Sequence, residues 1–418
     1  MIFLGQASRF GIRGTFRHLF AHGNGRDITD LEEHLAWRYG VDSDDVILYH
    51  TGRTALAEAI KYAIKGQYID EIAIKRRKRG MNLPGKGQPE VVITSLTCYA
   101  VVEAVRAAGA IPVFADVDPE TLHFDGDTLT KALRNHSNVR AIVVQNNLGH
   151  PCKIKEIEKI ANRLDIPLVE DLAHCAGCAY EDGREMGTLG VAAALSFGKG
   201  KSIDTTSGGA LVIRGSINTK SSDRSGKEEK AESGAPMDFS SKYIPVHPRR
   251  RPKLSDRLRD RFYPFFGMQI RGLYHIHLGK PLTAILLKLH FIQYGADAVL
   301  DPKYKITKWQ ARLAMNQFDS LPENRPPLRD FYLVKDADET IRKLAAYGYI
   351  FNDTWYDSPV SPKRYFRKAK FTREDCPKAV ELAHHIVNVP NWYSEEQLAT
   401  AIKIIKSDEL KSKKGAKK

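Results

Sequence analysis

The chain of 418 residues is 42% hydrophobic and 27% charged, so it can bury a large core, most simply divided between two domains. Its formal net charge of +14 arises in three segments, 75–79, 214–261 and 408–418. We expect these segments to form solvated surface, and specific nucleic-acid binding is therefore not predicted. No apolar leader opens the sequence, and the most lipid-like stretch, 281–292, is too short and too interrupted to span a bilayer. The five cysteines are too few for a disulfide framework in a chain this long, so we predict a cytoplasmic protein.

Short apolar, β-branched runs alternate with helix-like segments through the first half of the chain. This alternation predicts an α/β fold with a mostly parallel sheet covered by helices on both faces. A strand, a glycine turn and a helix beginning near Thr54 are predicted within 49–60, and further helices at 99–109 and 153–165. The strands predicted after the first are 91–96, 112–117, 141–146, 167–172, 193–198 and 208–213.

The composition changes after the last of these strands. From 215 the chain is polar and low in aromatic residues, and a basic run at 249–261 then leads into an aromatic, helix-like stretch. Helical periodicity resumes at about 301, which predicts a smaller α+β unit. We therefore predict a large domain at 1–214, an insertion at 215–300 (a mobile basic linker plus an aromatic helical segment), a small C-terminal domain at 301–410 and a lysine-rich tail at 411–418.

One tripeptide, Gly200-Lys201-Ser202, resembles the end of a phosphate-binding P-loop. That motif needs a glycine five positions before its own G-K-S glycine, and Leu195 stands there. The residues after Ser202 also read as a loop and not as the start of a helix. A P-loop is therefore excluded, and Lys201 needs another role.

Three polar side chains follow successive predicted strands. Asp171 ends one strand with His174 three residues later, Ser196 ends the next strand, and Lys201 lies in the loop that follows. Carboxyl ends of parallel strands share one edge of a sheet, where ligands bind. A carboxylate can keep a pyridine nitrogen protonated, a hydroxyl can bind phosphate and an amine can form a Schiff base. Together they predict a site for pyridoxal 5'-phosphate (PLP).

The predicted helix near Thr54 adds a second phosphate-binding feature. Helix N-termini present free N–H groups and the positive end of the helix dipole, and Gly52 allows a close approach of the backbone.

Cys175 and Cys178, with His174, have the spacing of metal ligands, but a structural zinc needs four ligands and no second pair is near. We expect buried thiols there and no metal.

The sequence resembles the DegT/StrS-type aminotransferases, which are fold-type I PLP enzymes that make amino sugars. Five segments carry the resemblance, and one of them, SFGKGKSIDTTSGG, matches the family's S-F-x-x-x-K…G-G pattern in register. These segments span residues 28–60, 91–125, 169–180, 196–209 and 306–321.

The resemblance implies a role for each matching residue. Lys201 would form the Schiff base with the cofactor and transfer the substrate proton, Asp171 would pair with the pyridinium, and His174 would lie beside the ring. The phosphate would be held by Ser196 together with Gly52, Arg53 and Thr54. The ring-stacking position corresponds to Cys98, so either the adjacent Tyr99 takes that role or the ring packs on the smaller side chain.

This sequence departs from the family pattern at several positions. Ser207 stands where relatives commonly have Glu before Gly-Gly, and Gly198 stands where they often have an aromatic residue or His. Lys303 replaces the asparagine that reaches the phosphate of the neighbouring subunit. The sugar specificity is therefore open, whereas the retained Lys201 favours amino transfer over sugar dehydration.

The resemblance implies a homodimeric aminotransferase that moves an amino group, with glutamate as the expected donor, onto a nucleotide-linked keto-deoxy sugar for glycan or secondary-metabolite synthesis. Two alternatives stay open. One is a PLP-dependent dehydratase or lyase on the same scaffold. The other is a non-catalytic regulatory or membrane-surface protein that uses the basic and aromatic insertion, whose composition suits peripheral contact with an anionic membrane.

Overall fold

The computed structural model describes residues 2–5, 10, 12–65, 87–214, 249–275, 298–322, 325–351 and 354–410. The helices are α1 (Ile12–Leu19), α2 (Arg26–Tyr39), α3 (Gly52–Lys65), α4 (Tyr99–Ala107), α5 (Gly126–Arg134), α6 (Ile154–Arg163), α7 (Leu254–His275), α8 (Lys308–Phe318), α9 (Ala337–Ala346), α10 (Pro377–His385) and α11 (Glu395–Asp408). The strands are β1 (Ile2–Phe3), β2 (Val46–Tyr49), β3 (Glu90–Thr94), β4 (Thr97–Cys98), β5 (Ile111–Ala115), β6 (Val139–Val144), β7 (Leu168–Asp171), β8 (Ala192–Ser196), β9 (Gly209–Ile213), β10 (Arg329–Leu333), β11 (Tyr349–Ile350), β12 (Val360–Ser361) and β13 (Ile386–Pro390). The basic run at 75–79, the polar segment at 215–248 and the lysine-rich tail lie outside the described residues.

A seven-stranded sheet in the order β2-β9-β8-β7-β6-β3-β5 forms the centre of the large α/β unit. Only β9 runs antiparallel to its two neighbours, and the remaining pairs are parallel. Every residue of β6 is buried, as expected for a strand covered on both faces. The predicted, mostly parallel α/β sheet is therefore confirmed.

A smaller unit is built on the antiparallel pair β10 and β13. Its own hydrophobic cluster includes Val387 of β13, Leu344 and Ala401 of the surrounding helices, and Val334, which directly follows β10. β1 from the start of the chain joins this unit by pairing with β11. Helix α8, in contrast, packs on α2 and contributes to the core beneath the sheet. The predicted boundaries at 214, 301 and 410 stay predictions.

Helix α7 begins within the basic run of the predicted insertion and packs against α1. It buries Asp256, Asp260 and Tyr263, and it leaves Leu254 and Leu258 exposed. The described part of the predicted insertion is therefore largely a helix that packs on α1. In the described parts of the chain, no helix is long and apolar enough to cross a membrane.

Candidate active site

A cavity of about 290 Å³ lies where β7 and β8 end, beside the N-terminus of α3. Its volume is close to the lower end of the range for small-molecule sites, about 300–1,000 Å³. The structure brings seven of the ten predicted site residues to its wall: Gly52, Arg53, Cys98, Asp171, His174, Ser196 and Lys201.

The other three predicted residues lie elsewhere. Thr54 is buried at the start of α3, where its hydroxyl donates to the carbonyl oxygen of Leu300 at 3.2 Å. Tyr99 is buried too, and its ring stacks on that of Tyr365 at 4.9 Å, so the side chain packs on the C-terminal part of the chain. Lys303 is exposed at the surface. Of the two neighbours considered for ring stacking, Cys98 and not Tyr99 faces the cavity.

The N-terminus of α3 approaches β8 more closely than any side chain at position 52 would allow. A Cβ on Gly52 would lie 2.4 Å from the Cβ and 2.6 Å from the Oγ of Ser196. A Cβ on Gly209 would lie 2.5 Å from the Cα of Gly52, which explains why β9 begins with a glycine. The result is a hydroxyl set beside the positive end of a helix, and this combination suits a phosphate.

Asp171 ends β7 with its carboxylate almost fully buried. Burial raises its pKa to about 6, although the Ala173 N–H that donates to Oδ1 at 3.0 Å and the positive charge of Lys201 both lower it. A buried carboxylate with few donors is stabilised by a cation. Asp171 could therefore hold the protonated nitrogen of a heterocyclic ring.

The imidazole of His174 is held as the neutral form. The Leu148 N–H donates to its Nδ1 at 3.1 Å, so the proton of the ring is on Nε2. Burial holds the pKa of His174 well below its usual value, and the charges of Lys201 and Arg329 lower it further. His174 also stacks on the indole of Trp355, with ring centroids 4.8 Å apart. The side chain is thus a fixed hydrogen-bond donor.

Lys201 lies in a turn that is built around Asp204. The two carboxylate oxygens of Asp204 accept the N–H groups of Gly200 at 2.9 Å and Thr206 at 3.0 Å. The Nζ of Lys201 lies 4.7 Å from the centroid of the Trp355 ring. The ring face attracts the ammonium group and orients it.

Sequence reasoning missed Trp355 and a second lysine, Lys199. Trp355 comes from the C-terminal part of the chain, where no local pattern indicates a contact with the Lys201 loop. Lys199 lines the cavity, is buried, and has its pKa lowered to about 8 by burial. With Arg53, Lys201 and Arg364 it gives the described wall four basic side chains, against the single carboxylate of Asp171. The cavity therefore favours an anionic ligand.

The cysteine pair next to His174 packs in the core. Cys175 and Cys178 are buried, and their thiols donate weakly to the carbonyl oxygens of Asp171 and Pro326. No group of three or more His, Cys, Asp or Glu side chains is placed for a metal ion among the described residues.

Comparison with known proteins gives partial sequence matches. Residues 79–222 match the DegT/DnrJ/EryC1/StrS aminotransferase family. GDP-perosamine synthase of Escherichia coli O157:H7 is 33% identical over 123 residues, which cover 29% of this chain and 33% of that protein. L-glutamine:2-deoxy-scyllo-inosose aminotransferase of Streptomyces kanamyceticus is 32% identical over 29% of this chain and 28% of its own length. The chain thus aligns with about a third of the length of these relatives.

The fold comparison covers nearly the whole chain. Sugar aminotransferase CalS13 from Micromonospora echinospora superposes with a TM-score of 0.57 and 18% identity, over 97% of this chain and 98% of the other. A Streptococcus pneumoniae protein assigned as a sugar aminotransferase, in its PLP form, gives a TM-score of 0.59 at 16% identity over 97% and 98%. The chain therefore has the fold of these proteins, and its residues 79–222 are similar to the DegT/DnrJ/EryC1/StrS aminotransferase family.

Proposed function

We propose that this chain is a PLP-dependent aminotransferase that moves an amino group, with glutamate as donor, onto a nucleotide-linked keto-deoxy sugar in glycan or secondary-metabolite synthesis. One observation carries the proposal. A single cavity collects the strand-end carboxylate of Asp171, the hydroxyl of Ser196 at a helix N-terminus and the amine-bearing loop of Lys201. The names of the similar proteins, sugar aminotransferases among them, support the same class of reaction.

The residues present fit the cofactor. The N-terminus of α3 and Ser196 would hold the phosphate, Asp171 would face the ring nitrogen and Lys201 would reach the aldehyde carbon. Bound PLP supplies an electron sink that stabilises negative charge on the substrate carbon next to the amine. The positive wall of the cavity also suits the phosphate groups of a nucleotide-linked sugar.

The protein's own groups would manage the protons. A pyridinium beside Asp171 would offset the burial that raises the pKa of this carboxyl, so the carboxylate would stay ionised and keep the ring nitrogen protonated. His174, neutral with its proton on Nε2, would donate a hydrogen bond without changing charge. The amine of Lys201 would carry the proton between the substrate and cofactor carbons as a general base and then a general acid.

The first test is a visible absorption spectrum of the full chain with PLP. We expect the band of lysine-bound PLP in the wild type and in Lys155→Ala, which changes an exposed lysine on α6. The band should be absent in Lys201→Ala, and glutamate should bleach it in the wild type. A wild type that binds no PLP contradicts the proposal. A band that no amino donor bleaches favours the dehydratase or lyase alternative.

We also propose that the enzyme is a homodimer in which Lys303 reaches the phosphate site of the partner subunit. The exposed position of Lys303, away from the cavity of its own chain, supports this arrangement. Light scattering should give the mass of a dimer, and Lys303→Ala should weaken PLP binding without changing that mass. A monomer that binds PLP fully would overturn this part of the proposal.

Peripheral contact with an anionic membrane is a secondary proposal. Leu254, Leu258 and Phe262 lie on successive turns of α7 and are 73%, 51% and 39% exposed. Arg251 and Arg257 are exposed beside them. Such a face could adsorb to acidic lipids through charge and apolar contact. Cosedimentation with phosphatidylserine vesicles, reduced by high salt and by serine at the three apolar positions, would support it. Equal sedimentation with neutral vesicles would contradict it.

A further inference from the structure

The cavity wall next to Lys201 is attached to α7, a helix outside the stretch that matches the family. Ser207 lines the cavity, and its hydroxyl donates to the Oδ2 of Asp260 at 2.7 Å. The amide of Gln310 on α8 donates to the same Ser207 hydroxyl oxygen, also at 2.7 Å. Asp260 is 3% exposed, so this is a buried carboxylate directed at the loop that carries the candidate catalytic lysine.

A proline in α7 creates a second attachment. Pro264 lies inside the helix, four residues after Asp260, and has no N–H to donate to the Asp260 carbonyl. That carbonyl instead lies 2.9 Å from the hydroxyl of Thr206 and 3.0 Å from Nε2 of His18. The proline thus leaves the Asp260 carbonyl oxygen without its helical donor, and side chains of the Lys201 loop and of α1 lie within hydrogen-bond distance of it.

The loop needs such support because its backbone is unfavourable locally. Thr206 has a φ of 69°, in the left-handed region that β-branched residues rarely adopt. Gly208 follows with a φ of 118°. Strained conformations of this kind persist only where the surroundings hold them, and they cluster at functional sites. The contacts of α7 fall on Thr206 and Ser207, next to the strained residues.

Helix α7 also holds the second lysine of the loop. The Nζ of Lys199 lies 3.8 Å from the ring centroid of Tyr263, one turn along α7 from Asp260. The negative charge of Asp260 offsets part of the cost of burying the Lys199 ammonium. Both ends of the Lys201 turn, at Lys199 and at Ser207, therefore contact one face of one helix.

We propose that Asp260 is a positioning residue, and that α7, through its side chain and its proline-freed carbonyl, sets the conformation of the 199–207 loop and hence the place of the Lys201 amine. This inference rests on the proposed function for the role of Lys201. The attachment of the loop can be measured without the cofactor.

The variants separate the two attachments. Asp260→Ala removes the acceptor of Ser207, whereas Asp260→Asn keeps an acceptor oxygen of the same shape. Pro264→Ala restores an N–H that can recapture the Asp260 carbonyl within the helix. It should therefore stabilise α7 while loosening the loop. Asp256→Asn is the matched control, because it alters a buried carboxylate one turn earlier whose partners include Arg250 and Lys253.

The first measurement is hydrogen exchange of the 199–207 amides in the PLP-free full chain. We expect exchange at least about tenfold faster in Asp260→Ala, since a hydrogen bond to a buried charge is lost. Pro264→Ala should exchange faster without a lower unfolding temperature, and Asp260→Asn should recover most of the protection. The proposal is overturned if the 199–207 amides of Asp260→Ala and Pro264→Ala exchange no faster than those of the control, Asp256→Asn. If Asp260→Ala does not fold, the comparison of Pro264→Ala with this control still decides.

The second measurement is the visible circular dichroism of the chain loaded with PLP, which reports how the lysine-bound cofactor is oriented. A weaker signal in Asp260→Ala and Pro264→Ala, at an unchanged amount of bound PLP, supports positioning. Faster exchange with an unchanged dichroism signal overturns it, because α7 then only stabilises the loop. A wild type that binds no PLP defeats the proposed function, and in that case the exchange result still decides whether α7 holds the loop.

Discussion

Replacing Gly52 by alanine tests the closest contact in the candidate site. The new Cβ would lie 2.4 Å from the Cβ of Ser196 and 2.7 Å from its Cα. Non-bonded carbons prefer a separation of about 3.5–4.0 Å, so α3 must retreat from β8 by about 1 Å. Forcing a methyl group into a packed site costs about 1–3 kcal/mol, and we expect the unfolding free energy of the PLP-free protein to fall by that amount.

The same retreat should weaken PLP binding, since the helix N–H groups and the Ser196 hydroxyl would no longer converge on one phosphate. Losing one charge-assisted hydrogen bond raises the dissociation constant about tenfold or more. Guanidinium unfolding and PLP fluorescence titration measure the two effects.

Gly25→Ala is the control for this substitution. A Cβ added at Gly25, the residue before α2, would meet no heavy atom within 4 Å outside its chain neighbours, and its φ of −64° is open to any residue. Alanine there should therefore change stability much less than alanine at position 52. The double variant Gly52→Ala/Ser196→Gly should recover part of the lost stability because it removes the clashing Cβ. Equal unfolding midpoints for Gly52→Ala and Gly25→Ala, or no recovery in the double variant, would refute the reasoning.

Three further substitutions test other parts of the structure. Glu170 is fully buried, and its carboxylate accepts hydrogen bonds from three backbone N–H groups and from the Tyr180 hydroxyl. Glu170→Gln should therefore lower the unfolding free energy, measured by denaturant titration, by about 2 kcal/mol. An unchanged unfolding free energy would contradict these contacts. Burial lowers the pKa of His123 from 6.5 to about 4, so the unfolded chain takes up a proton that the folded chain excludes, and stability is lost as the pH falls through this range. His123→Gln should therefore reduce the slope of unfolding free energy against pH by up to about 1.4 kcal/mol per unit there, and an unchanged slope would show that another group dominates. Trp355→Ala should weaken PLP binding about tenfold, because the stacking on His174 and the cation–π contact with Lys201 are lost, and Trp355→Phe should be intermediate. Wild-type affinity for PLP in both variants would show that the indole does not contribute to the site.

The candidate site was predictable where it depends on strand ends. Asp171 and Ser196 follow apolar runs that form adjacent parallel strands, and the ends of such strands share one edge of a sheet. The close approach of Gly52 to Ser196 was predictable only as a general feature of a glycine turn. The actual arrangement also depends on β9, a strand later in the chain, whose Gly209 pairs with Ser196 and packs against Gly52.

Residues that reach the site from distant segments were not predictable in this way. Tyr99 follows Cys98 directly, yet its side chain turns to Tyr365, because the first residue of α4 faces the C-terminal part of the chain. Trp355 and Asp260 carry no local signal of their contacts. Asp260 lies in a basic run that the sequence predicts to be solvated, and nothing in the sequence around Trp355 indicates a contact with the Lys201 loop. Their partners are 154 residues away in one case and 53 in the other.

The sequence by itself determined the local elements, the mostly parallel sheet and the order of Asp171, Ser196 and Lys201 along it. It could do so because the periodicity of apolar side chains reports burial within each element. Only the tertiary structure decided that Trp355 faces the lysine, that Tyr99 faces away and that α7 supports the loop. Those contacts join segments far apart in the chain, and they depend on how whole elements pack, a property that no local pattern encodes.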